Sequence, residues 1–86
     1  MNTPQELREL VFEVLSGIAP EADPTTVDPS ADLRDELDLD SMDELNMITR
    51  VSERLAIDVP EEDYQRMRTV DGAVDYLATR LATRRT

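Results

Sequence analysis

Residues 36–56, ELDLDSMDELNMITRVSERLA, decide how the rest of the chain is read. From Leu45 onward, apolar residues fall at Leu45, Ile48, Val51 and Leu55. That spacing turns one side of an α-helix towards a core. Before it lies an acidic run with a single hydroxyl: Asp38, Asp40, Asp43 and Glu44 crowd around Ser41 and Met42. One helix, starting at Asp40 or Ser41 and running to about Ala56, accounts for both halves. Asp40 can cap it, and Asp43 and Glu44 favour the positive end of its dipole. At about 100° per residue, the side opposite the apolar stripe carries Met42, Asn46, Thr49, Arg50 and Glu53. Ser41 then stands at the helix start with few neighbours to cover it. Capping explains the acids, but not an open hydroxyl beside an apolar side chain on the wet face. The plainer alternative folds Met42 back onto the preceding loop as core.

Working outward, the N-terminal Thr3-Pro4-Gln5-Glu6 reads as a helix start. Thr3 caps, Pro4 suits the first helical position, and Glu6 completes a capping box. Leu7, Leu10, Val11, Val14 and Ile18 form the inward stripe, and Gly17 and Pro20 mark the end. Residues 19–39 read as a long loop, broken by Pro20, Pro24 and Pro29 and pinned by Val27, Leu33, Leu37 and Leu39. A structureless loop of that length is uncommon and often functional. After Pro60, residues 61–66 look like a short helical turn. Thr69 caps a last helix with Val70, Val74, Leu77 and Leu81 inward, and its basic end suits a helix C-terminus. Ala73 and Val74 could line a slot for cargo or simply pack. No segment alternates long enough to make a strand. The expectation is a single domain over residues 1–86: an all-α four-helix bundle of three long helices and one short helix, with a long loop between the first two.

Composition bounds the function. The chain has 86 residues and no cysteine, so a thin core goes unbraced by disulfides. No apolar run approaches the roughly 20 residues of a membrane span, and the N-terminus lacks the basic flank and apolar block of a signal peptide. The default expectation is a soluble, cytoplasmic monomer. Twenty acids face nine arginines, a net charge of −11. Residues 28–63 hold thirteen acids and three arginines, whereas residues 64–86 hold two acids and five arginines. Such a balance argues against nucleic acid and favours quick encounter with basic partners. There is no histidine or lysine to activate a serine nucleophile, and no histidine or cysteine for a zinc or copper site. Two glycines cannot build a phosphate-cradling loop. Calcium binding by the acids of 28–43 fails on spacing, because no window has both the glycine and the glutamate of an EF-hand loop. A self-contained enzyme and a metal site are therefore not expected.

Asp40-Ser41-Met42-Asp43 resembles the Asp-Ser-Leu-Asp signature of acyl carrier proteins, with Met in place of Leu. VDPSADLRDELDLDSMDEL resembles that family's loop into its second helix. LAIDVPEEDYQRMRTVDGAVDYL resembles its third and fourth helices, with the Ile-x-Val-Pro step and the Thr-Val start of the last one. The tetrad alone is a weak signal; in register with four helices it covers nearly the whole chain. The resemblance implies that a phosphopantetheinyl transferase attaches 4'-phosphopantetheine to Ser41, and that the arm's thiol carries acyl groups as thioesters. It implies a tethered substrate that needs no base of its own. The second helix would be the docking surface, with Asp40, Met42, Asp43, Glu44, Asn46, Thr49 and Glu53 meeting basic patches on acyl-loading and acyl-processing enzymes.

The chain departs from the family pattern at several places. Asp38 stands where the family often has glycine, and Asn46 where it often has glutamate. Arg50 and Arg54 add positive charge to a usually acidic helix, and Arg80, Arg84 and Arg85 make a basic tail. These departures leave the modification site intact. They lean towards a specialised carrier for fatty-acid-like, lipid or polyketide-type synthesis. A peptidyl or aminoacyl carrier, or a helical adaptor that never receives the arm, are the alternatives.

Overall fold

A computed structural model of the chain describes residues 3–84. In order they form helix α1 (Pro4–Ile18), a 3₁₀ turn (Pro24–Thr26), a one-turn helix α2 (Leu33–Glu36), α3 (Ser41–Leu55), a 3₁₀ helix (Glu61–Met67) and α4 (Val70–Arg84). No strand occurs among the described residues. The three long helices α1, α3 and α4 and the short one before α4 are the expected bundle. The basic residue Arg85 lies outside the described residues.

Local chemistry sets the helix starts. The Glu6 N–H donates to Thr3 Oγ1 at 3.2 Å, and the Thr3 N–H donates back to Glu6 Oε1 at 2.9 Å. That reciprocal box closes the first turn of α1. Thr69 caps α4 by accepting from the Gly72 N–H at 2.9 Å. Gly72 is required there: a Cβ would stand 2.7 Å from Thr69 Oγ1 and 2.8 Å from the Arg66 carbonyl oxygen. α3 ends at Ala56, whose φ of 54° is left-handed, and the Ile57 N–H reaches back to the Ser52 carbonyl at 3.0 Å. That geometry turns the chain out of the helix.

The core lies where α1 packs against both α3 and α4. Leu7, Val11 and Leu15 of α1 are fully buried, with Val51 of α3 and Val70, Ala73 and Leu77 of α4. Ala73 and Val74 pack into this core. Two expectations are corrected. The α3 stripe is rotated: Met47 is buried and Leu45 is exposed. Both are apolar and flank Ile48 and Val51, so periodicity alone does not choose between them. The position of α1 beside α3 draws Met47 inward and leaves Leu45 outside. Second, residues 19–39 are not structureless. Asp23 caps the 3₁₀ turn through the Thr25 N–H (3.0 Å), and Asp32 caps α2 through the Arg34 N–H (2.9 Å). Leu33, Leu37 and Leu39 are buried as expected, and Val27 is half-buried.

Candidate functional site

The start of α3 is placed by a tight sequence of turns. The Leu33 N–H donates to the Arg68 carbonyl at 2.7 Å and the Asp71 N–H to the Pro29 carbonyl at 3.0 Å, so the segment before α3 is tied to the start of α4. α2 then ends at Leu37, and Asp38 turns left-handed with φ 54°. The Leu39 N–H closes the turn onto the Arg34 carbonyl at 3.1 Å. Two buried leucines on either side of Asp38 hold the reversal, and Asp40 follows as the cap of α3. Its Oδ1 accepts from the Asp43 N–H at 2.9 Å, while Asp43 Oδ2 accepts from the Asp40 N–H at 3.4 Å.

Ser41 is therefore the first residue of α3, and it is exposed. Its Oγ makes no hydrogen bond among the described residues, nor do the N–H groups of Ser41 and Met42. The hydroxyl borders an open recess of about 530 Å³ that Arg34, Glu44, Leu45, Tyr64 and Arg68 also line. Met42 is 64% exposed and Leu45 41% exposed, so two apolar side chains stand out beside the serine. Met42 does not fold back onto the loop.

The other residues expected on this face divide into two groups. Asp40, Asn46, Thr49 and Glu53 are exposed, and Asp43 is half-buried. Glu44 differs. Its side chain is only 12% exposed, held by Arg68 Nε at 3.2 Å and Arg34 Nη1 at 3.6 Å. It clasps α2, α3 and the segment before α4 together, and its charge is spent within the fold. Arg54 is exposed but paired across to α1, forking onto the Glu13 carboxylate with both contacts at 3.2 Å. Sequence reasoning missed Leu45 on the open face and the Arg34–Glu44–Arg68 clasp. The clasp joins residues 24 positions apart, and no local pattern announces it.

An acidic helical bundle with an unencumbered hydroxyl at a helix start has what a carrier domain needs. The comparisons with known proteins agree. The family described as "Phosphopantetheine attachment site" matches residues 5–77. Among curated proteins, the chain is 33% identical over 73 residues to the acyl carrier protein of Renibacterium salmoninarum, covering 85% of this chain and 84% of that one. It is 30% identical over 73 residues to the acyl carrier protein of Rubrobacter xylanophilus, with the same coverage of both. It is 31% identical over 72 residues to the mitochondrial acyl carrier protein of Neurospora crassa, covering 84% of this chain and 54% of that one. The chain thus spans about half the length of the fungal relative and most of the bacterial ones. The chain belongs to the acyl carrier protein family, and 4'-phosphopantetheine is its covalently bound cofactor. Among the described residues, no helix is long and apolar enough to cross a membrane.

Proposed function

We propose that Ser41 is the attachment point, and that this chain carries acyl groups as thioesters for a dedicated fatty-acid-like, lipid or polyketide-type synthesis. One observation supports the reading above the rest: an exposed Ser41 Oγ without a hydrogen-bond partner on the first turn of α3. The residues present fit the group. A phosphodiester on that oxygen faces the positive end of the helix dipole, an effect of about 0.3–1 kcal/mol. The N–H groups of Ser41 and Met42 are there to receive it. The arm, once attached, supplies a terminal thiol that forms the thioester. The chain supplies the accessible oxygen, which attacks the pantetheine-side phosphorus of coenzyme A bound by the phosphopantetheinyl transferase; the pyrophosphate P–O bond breaks, adenosine 3',5'-bisphosphate leaves, and a base on the transferase takes the hydroxyl proton.

Asp40, Met42, Asp43, Asn46, Thr49 and Glu53 form the docking face, and Leu45 joins Met42 as its apolar centre. The acids steer encounter with basic patches on the transferase and on acyl-loading and acyl-processing enzymes. Methionine adapts to surfaces of different shape, which suits successive transient partners. Glu44 contributes differently, by holding the frame that presents Ser41. The protein works as a monomer in the cytoplasm on this reading.

Mass measurement tests it. Incubated with coenzyme A and a broad-specificity phosphopantetheinyl transferase, the protein gains one phosphopantetheinyl mass, and Ser41→Ala gains none. A parent protein that stays unmodified, or a Ser41→Ala variant that gains the same mass, refutes the assignment.

A further inference from the structure

Six arginines of the described chain are engaged within it. Arg8 pairs with Asp71 at 3.3 Å, Arg34 and Arg68 hold Glu44, and Arg54 forks onto Glu13. Arg80 donates to the Asp58 carbonyl at 2.6 Å. With Arg66 it lies over the Tyr76 ring, 6.0 and 5.8 Å from the centroid. Arg50 differs from all of them. Among the described residues it has no ion pair, hydrogen bond or ring contact, and its side chain is exposed. Its neighbours along the helix offset each other: Arg54, four residues on, carries the same charge, and Glu53, three residues on, the opposite one.

The guanidinium is nevertheless placed. One of its nitrogens lies over Gly17 of α1, 2.9 Å from where a Cβ would stand, so the absence of a side chain at residue 17 makes its seat. Arg50 lies nine residues after Ser41, about 13–14 Å along the helix axis. It borders the same exposed face as Thr49 and Glu53. Along that face, the order of side chains is acids at Asp40 and Asp43, apolar groups at Met42 and Leu45, then the cation of Arg50. Glu53 follows without pairing to it.

A patch that is basic along the whole helix meets a like charge at Arg50. A patch with a carboxylate there meets an opposite one. We propose that Arg50 is a specificity-determining residue of the docking face. It disfavours uniformly basic partners and selects one that is basic opposite Asp40 and Asp43 but carries an acidic side chain opposite Arg50. This deepens the docking role given to α3 above and rests on it. The device works by repulsion as well as attraction, which is how discrimination between related partners is commonly built.

The probe is a broad-specificity phosphopantetheinyl transferase chosen for a uniformly basic docking patch. Its kinetics are followed with coenzyme A and varied carrier. Arg50→Glu is expected to lower KM roughly three- to tenfold with kcat unchanged, as charge changes at a steering contact do. The gain shrinks as salt is raised. Arg50→Gln falls between, and guards against a folding effect of the reversal. Arg8→Glu makes the same change in net charge away from α3 and should leave KM within about twofold. An unmoved or raised KM for Arg50→Glu overturns the inference, as does an equal drop for Arg8→Glu. If the parent is modified normally and Arg50→Glu behaves like it, only the role of Arg50 fails. If neither gains mass, the assignment of Ser41 fails and takes this inference with it.

Discussion

Asp38 and Ala56 are the two non-glycine residues with positive φ among those described, each at 54°. Both sit just beyond a helix end, where the left-handed turn returns an N–H to the last carbonyls. For an L-residue this region costs about 1–2 kcal/mol, less for Asp, whose short polar side chain tolerates it. Glycine removes that cost but adds roughly 0.4–1 kcal/mol of chain entropy to the unfolded state. Ala56→Gly should therefore stabilise by about 0.5–1 kcal/mol, a rise of roughly 3–6 °C in Tm for a domain of this size. Asp38→Gly should stabilise by less, about 0.5 kcal/mol at most. Thermal melts of the two variants check both the signs and the order; a loss of stability in Ala56→Gly refutes the account. Asp38 was legible as a departure from a glycine-favouring position. That the departure carries backbone strain was not, because φ is set by the buried Leu37 and Leu39 on either side.

Helix ends were readable because their chemistry is local: Thr3 with Glu6, Asp40 with Asp43 and Thr69 with Gly72 are each three residues apart. The rotation of α3 was not, because it depends on what lies beside the helix. Leu45 and Met47 are equally apolar, and only the seat of α1 decides that Met47 goes in. The same holds for α2. Its single turn is too short to show a period, and it persists because Leu33 is buried and its N–H is taken by the Arg68 carbonyl at 2.7 Å. Glu44 joins these elements from a side chain that reads, by position, as one more surface acid. Removing it leaves Arg34 and Arg68, both partly solvated, without their shared carboxylate. Glu44→Ala should cost about 1 kcal/mol, towards the lower end for charged hydrogen bonds because the arginines reach water. Asp43→Ala should cost less, about 0.5 kcal/mol, because its side chain makes only the 3.4 Å half of the capping box and the bond from the residue-43 N–H to Asp40 Oδ1 remains. If the clasp frames Ser41, Glu44→Ala also raises amide hydrogen exchange across residues 33–44. Unchanged exchange there and an unchanged denaturation midpoint refute the clasp.

Across the whole molecule, the net charge of −11 and the absence of histidine, lysine and cysteine shape the pH response. The side-chain titrations that ordinarily fill about pH 6–9 belong to histidine and cysteine, so stability should be nearly flat there. At the acid end, the Thr3 N–H donating to Glu6, the Thr25 hydroxyl donating to Asp23, and the Ser30 N–H donating to Asp28 hold those carboxyls below their ordinary values. Their contribution is present above the unfolded carboxylate range and is lost as pH falls through the lowered values. At the alkaline end, burial pushes the Tyr76 hydroxyl up, and its hydrogen bond to Asp63 Oδ2 at 2.7 Å adds to the shift. Tyr76 is 6% exposed, beneath Arg66 and Arg80, and joins α4 to the 3₁₀ helix. A raised folded value means that its stabilisation is fully present below the ordinary tyrosine value of about 10 and is lost as pH rises through the raised one. Tyr76→Phe should therefore lower stability at neutral pH by about 1 kcal/mol, the worth of the hydroxyl's hydrogen bond. The variant should also lose most of the alkaline fall. Urea midpoints measured from pH 6 to pH 11 on both proteins give the test: the two curves converge above pH 10 if Tyr76 carries the transition. An alkaline fall of the same size in the variant would mean that the loss arises elsewhere in the fold.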